Sequence, residues 1–164
     1  MAKIKNLENN LEFAIFFKRN EMFDYLPNRS DFENWIPFVL SLALPNKISE
    51  IDESSKATMT IYELKDLIEG LENTLRNLYV QRNYIFEFSN SEGFFELRFE
   101  VISEDSMIEM ELWINKGNQT KGKICGFDEG IRTILDKDAM GNFLKELKED
   151  FSKIISTPNT QEHM

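Results

Sequence analysis

From residue 84 onward, apolar and polar residues alternate with a period of two. YIFEFS (84–89), FFELRFEVIS (94–103), MIEMELWI (107–114) and KICGF (123–127) read as four strands joined by short polar loops. Loops of that length favour an antiparallel meander, and residues 131–135 either extend the last strand or form an irregular connection. Earlier, LEFAIFFK (11–18) and WIPFVLSLAL (35–44) are apolar enough to be strands, the second buried or at an edge because of Pro37. Residues 47–58 read as a further strand with a bend at 52–56. The polar stretch 20–34, with Pro27 and Asn28, reads as a loop.

The period becomes helical in two places. TIYELKDLIEGLENTLRNL begins at Thr60, where Thr60 and Glu63 have capping-box spacing. Leu64, Leu67, Ile68, Leu71, Leu75 and Leu78 then recur on one face. A second helix follows Asp136, a suitable N-cap, with Met140, Phe143, Leu144, Leu147, Phe151, Ile154 and Ile155 as its apolar side. An amphipathic helix beside a sheet packs on that sheet, so both stripes are assigned to the core. The order predicts an α+β domain: an antiparallel sheet of about six to seven strands with two α-helices packed on one face. With no linker, repeat or composition break inside it, residues 1–155 are expected to form a single domain, followed by a disordered C-terminal tail at 156–164.

The polar half of the strand alternation is rich in glutamate. Centring the turn after 94–103 between Glu104 and Asp105 pairs Val101 with Ile108, Phe99 with Met110 and Leu97 with Leu112, so the apolar faces match. The same register sets Glu100 opposite Glu109, Arg98 opposite Glu111 and Glu96 opposite Trp113. Pairing Phe88 with Phe95 through the loop 90–93 sets Glu87 against Glu96 and Ile85 against Arg98. One surface then gathers Glu87, Glu96, Glu100, Glu109 and Glu111 around a single arginine, Arg98. Opposed like charges cost below about 1 kcal/mol per exposed pair. The face is either a solvated surface that keeps the chain soluble, or a platform for Lys and Arg of a partner with Trp113 as an apolar anchor.

Composition narrows the choice. The chain has 164 residues, long enough to bury a real core, and its 14 phenylalanines are first a packing material. A net charge of −10 argues against binding nucleic acid directly, because a phosphate backbone would be repelled. The start MAKIKNLENN lacks the pattern of a secretory signal, and the apolar run 35–44 is interrupted and too short to span a bilayer. With one cysteine, Cys125, these features predict a cytoplasmic protein with no membrane contact.

No linear pattern here carries chemistry. GNQTKGKI (117–124) almost matches the phosphate-binding loop, but Ile124 stands where a hydroxyl is needed and the segment links two predicted strands rather than a strand and a helix. The one histidine, His163, falls in the expected tail. A zinc site of His and Cys therefore cannot be assembled, and Cys125, with no histidine beside it, reads as a buried or half-buried structural residue. No catalytic residue, metal or cofactor is expected.

The capped helix TIYELKDLIEGLENTL, the acidic strands FFELRFEV and MIEMELWI and the terminal FLKELKEDFSKI together resemble bacterial immunity proteins of the WapI-like kind, over roughly residues 11–155. The resemblance implies a cytosolic, non-enzymatic protein that binds and blocks one toxin domain, often a nuclease. Such a toxin would be basic in order to hold nucleic acid, and an acidic face suits it. Two other readings stay open: a general protein-interaction or regulatory module, and a small-ligand-binding protein with a Phe-lined pocket.

Overall fold

Two antiparallel sheets share one apolar core in the computed structural model, which describes residues 1–121 and 123–156. The first sheet contains β1 (Ala2–Lys5), β2 (Glu12–Phe17), β3 (Trp35–Leu44), β4 (Lys47–Ile51) and β5 (Thr58–Thr60). After α1 (Ile61–Tyr79) the second follows as β6 (Tyr84–Ser89), β7 (Phe95–Ile102), β8 (Met107–Asn115) and β9 (Asp128–Leu135). A short helix, α2 (Lys116–Gln119), interrupts the β8–β9 connection, and α3 (Lys137–Ser156) closes the described chain. The α+β class and the antiparallel pairing are those expected. The strands number nine among the described residues, and they divide between two sheets rather than forming one.

The division has a local cause. β4 and β5 both pair with β3, on its second and first halves. Between them, residues 53–55 make a 3-10 turn capped by Asp52, whose carboxylate accepts from Ser54 N at 3.0 Å, and Lys56 adopts a left-handed φ of 51°. β5 then runs directly into α1, and the chain returns as β6 in a new sheet. Sheet 2 is the plain meander β6-β7-β8-β9. The seams are polar. Leu7 N donates to Ile134 O at 2.8 Å, and Ser49 Oγ donates to Glu129 at 2.7 Å. At the free side of β1, Lys3 N is satisfied by Glu146 of α3 at 2.9 Å.

Both helices start as their sequences predict. Thr60 Oγ1 accepts from Glu63 N at 3.1 Å while the Glu63 carboxylate accepts from Thr60 N at 2.7 Å. Asp136 accepts from Ala139 N at 2.7 Å. Helix α1 lays Leu64, Leu67 and Leu71 against sheet 2, and α3 lays Met140, Phe143 and Leu147 against β1 and β2. Phenylalanine tiles the interior: Phe13 meets Phe143 at 5.7 Å between ring centroids, Phe38 meets Phe95 at 5.4 Å, and Phe88 meets Phe95 at 5.7 Å. The Phe38–Phe95 contact joins the two sheets.

Gly70 lets α1 approach sheet 2 closely. A Cβ there would lie 2.1 Å from the Phe86 ring, so the ring must move off its stack with Phe99. Gly70→Ala gains about 1 kcal/mol of helix propensity and loses about 2 kcal/mol to overpacking. The expected net loss, about 1 kcal/mol, is read from the urea midpoint of the purified variant.

Candidate functional site

The outward face of sheet 2 carries the organised charge. Burial of Phe95, Leu97, Phe99 and Val101 on β7, and of Ile108, Met110, Leu112 and Ile114 on β8, turns the intervening residues to the outer face, where Glu111 is itself buried beneath its neighbours. The β7–β8 register is the expected one: Val101 pairs with Ile108, Phe99 with Met110, Leu97 with Leu112, Glu100 with Glu109, Arg98 with Glu111 and Glu96 with Trp113. All seven residues singled out from the sequence, Glu87, Glu96, Arg98, Glu100, Glu109, Glu111 and Trp113, therefore share one face.

The β6–β7 register differs from the expected one by two residues. Phe88 pairs with Leu97, not Phe95, which sets Glu87 against Arg98, Ser89 against Glu96 and Ile85 against Glu100. The loop is longer than the strand pattern suggests. Asn90 O accepts from Gly93 N at 2.8 Å, Asn90 Oδ1 accepts from Phe94 N at 3.3 Å, and Phe94 O accepts from Asn115 N of β8 at 2.9 Å. A slip of two keeps every side chain on its face and replaces one Glu–Glu pairing with a Glu–Arg pairing.

Arg98 sits at the centre of the carboxylates. Its Nη2 lies 2.6 Å from Glu100, Nη1 lies 3.5 Å from Glu111 and 3.9 Å from Glu109, and Nε lies 3.6 Å from Glu87. A second arginine, Arg132 of β9, reaches Glu111 at 2.8 Å and Glu109 at 3.4 Å. The directly opposed Glu100 and Glu109 are thus bridged by guanidinium groups, which offsets their repulsion. The hydrogen bond to Glu100 raises the Arg98 pKa above its ordinary value, helped by the charges of Glu100, Glu111 and Glu87 and opposed by partial burial. The Glu111 carboxyl is held below its ordinary value, first by the Trp113 indole N–H and then by Arg132 and the charge of Arg98, with burial opposing.

Arg132 was not among the expected residues, because strand β9 itself was misplaced. KICGF is not a strand: Gly126 takes a left-handed φ of 66°, and Ile124 and Phe127 are exposed. Cys125 is exposed rather than buried. The ladder instead begins at Asp128, where Arg132 lands opposite Glu111 and Gly130 opposite Trp113. Residues 131–135 carry only a weak strand signal, because Thr133 falls opposite the buried Met110 and Ile134 opposite Glu109, so the alternation breaks there. GNQTKGKI lies in the connection between β8 and β9, where a phosphate loop has no helix to feed.

Trp113 is fixed although it is 41% exposed. Its Nε1 donates to Glu111 at 3.1 Å, and its ring rests on Gly130, where an added Cβ would lie 2.3 Å from the indole. Elsewhere Glu129 of β9 pairs with Lys47 and accepts from Ser49, and these two bonds hold its carboxyl below its ordinary value. Among the described residues, no group of three or more His, Cys, Asp or Glu side chains is arranged to hold a metal ion. No helix among them is long and apolar enough to cross a membrane. Of the tail expected at 156–164, Ser156 is the last residue of α3, and residues 157–164, His163 among them, lie outside the described residues.

Fold and face together define an α+β protein with two antiparallel sheets, one of them presenting a cross-linked charged surface to solvent. The chain belongs to the Immunity protein WapI-like family, whose profile matches residues 3–154. That is the family its sequence resembles. No curated protein and no solved structure matches it.

Proposed function

We propose that the protein neutralises a cognate toxin domain by binding it, without chemistry of its own, through the outer face of sheet 2. Membership of a toxin-immunity family is the observation that carries this reading. The contact residues are Glu87, Glu96, Arg98, Glu100, Glu109, Glu111 and Trp113, and the partner is a basic domain such as a nuclease, met in the cytoplasm. Five carboxylates and two guanidinium groups held in register favour a cationic surface and steer its approach. Trp113 supplies the apolar anchor. Binding through a face is further supported by the phenylalanines: Phe13, Phe38, Phe95, Phe99 and Phe143 are fully buried against one another and against the core, which leaves no role for them in lining a ligand pocket.

The test is co-expression with the toxin domain encoded beside the gene. Growth is expected to be restored, and association of the purified pair is expected to slow as salt rises from about 50 to 500 mM. Continued toxicity with both proteins folded overturns the proposal.

A further inference from the structure

The charged face has two unequal halves. Around Arg98 and Arg132, the carboxylates of Glu100, Glu109 and Glu111 are bridged within the protein. Toward Ser89 and Trp113 the bridging stops. Glu96 is exposed and makes no ion pair among the described residues; its one side-chain bond is a 3.5 Å donation from Ser89 Oγ. Glu87 is held only by the 3.6 Å approach of Arg98 Nε. Between them the surface sinks into an open depression of about 450 Å3, lined by Glu87, Ser89, Glu96, Arg98, Glu111 and Trp113. It stays open because the indole leans the other way. Gly130 on β9 gives the ring its place, and the bond to Glu111 keeps it there, so Glu96, directly across from Trp113, is left uncovered.

We propose that this depression receives an arginine side chain of the protein partner. The proposal rests on the toxin-binding reading above and names the subsite within that face. The chemistry selects the occupant. A neutral apolar group would strip water from Glu96 and Glu87 without replacing it, and an anion would meet three carboxylates against one guanidinium, Arg98, which is already bonded to Glu100. A guanidinium group is flat, so one edge can donate two parallel hydrogen bonds to Glu96 while its plane lies against the indole. An ammonium group satisfies the charge but has no plane to stack and no fork to match the carboxylate. Trp113 and Glu96 are held on adjacent strands before binding, so little ordering remains to oppose the contact.

Two measurements test this. In the first, N-acetyl-arginine amide is titrated into 15N-labelled protein while the Trp113 Nε1–H signal is followed. A saturable millimolar shift is expected, absent with N-acetyl-citrulline amide and weakened about tenfold by Glu96→Gln. Equal binding of the lysine analogue, or no effect of Glu96→Gln, overturns the assignment. In the second, affinity for the toxin domain encoded beside the gene is measured for Glu96→Gln and Trp113→Ala, both exposed positions that leave the core intact. Each is expected to weaken binding at least about tenfold. Toxin bound with unchanged affinity by both variants overturns the subsite and leaves the toxin-binding reading standing. No binding of the toxin by the unaltered protein overturns that reading itself.

Discussion

Glu63→Ala is expected to cost the fold about 3 kcal/mol, seen as a lower urea midpoint with an unchanged slope. Glu63 is 7% exposed at the start of α1 and ties three segments together. One carboxylate oxygen accepts from Thr60 N at 2.7 Å and Thr60 Oγ1 at 3.0 Å; the other accepts from Ser91 N at 2.5 Å and Asn90 Nδ2 at 3.2 Å. Alanine removes half of the capping box, worth about 1 kcal/mol, and leaves the buried Thr60 N without an acceptor and the buried Asn90 amide with only Thr58 O, worth about 2 kcal/mol more. Glu63→Gln should be nearly as costly, because the amide NH2 must face donors on one side of the carboxylate's position. A loss below about 1 kcal/mol would mean that water reaches these donors and that the network is not a tie.

That network also shows what a linear reading can and cannot reach. Thr60 and Glu63 announce a helix start through their spacing, and the structure bears this out. Nothing in the spacing tells that Glu63 also receives Ser91 and Asn90, because those partners arrive from a loop 27 and 28 positions away. The same limit separates the two registers of β7. Its pairing with β8 was legible because a two-residue turn centre and two matched apolar faces leave one solution. Its pairing with β6 was not, since the Asn90 loop can close at either of two registers that keep the faces intact, and in the observed one Gly93 and Phe94 both donate to Asn90. Strand β1 was missed because AKIK is four residues long and alternates only twice. β9 was displaced because Gly130, which weakens its strand signal, is there to make room for Trp113.

The face itself was legible in membership but not in balance. Sequence alternation alone placed five glutamates and one arginine together, which implies a strained, repulsive surface. Arg132 changes that picture. With it, Glu109 and Glu111 each lie within 4 Å of two guanidinium groups, and the repulsion expected between strands becomes a cross-strand lattice. The excess negative charge is then concentrated at Glu87 and Glu96, beside the exposed tryptophan. What looked like a uniform acidic ladder is a compensated centre with a weakly compensated corner, where Glu96 makes no ion pair among the described residues and Glu87 only the 3.6 Å one to Arg98.

Arg98→Ala should therefore destabilise the fold in a salt-dependent way. In the unaltered protein Glu111 has a folded pKa below its ordinary value, so its contribution is present above the ordinary carboxylate range and is lost as pH falls through the folded value. Stability should thus decline below about pH 4.5. Without Arg98, Glu87, Glu100, Glu109 and Glu111 lose their shared cation, and Arg132 reaches only two of them. Glu100 and Glu109 then face each other with no cation between them, a like-charge repulsion that destabilises the fold. At pH 7 and low salt the variant should be about 2 kcal/mol less stable, since Arg98 is only partly buried and solvent screens the exposed members. Salt at about 0.5 M should recover part of that loss at fixed pH. Urea midpoints at low and high salt decide the matter: the same salt dependence in the two proteins would show that the glutamates of this face do not interact and that Arg98 acts only by packing.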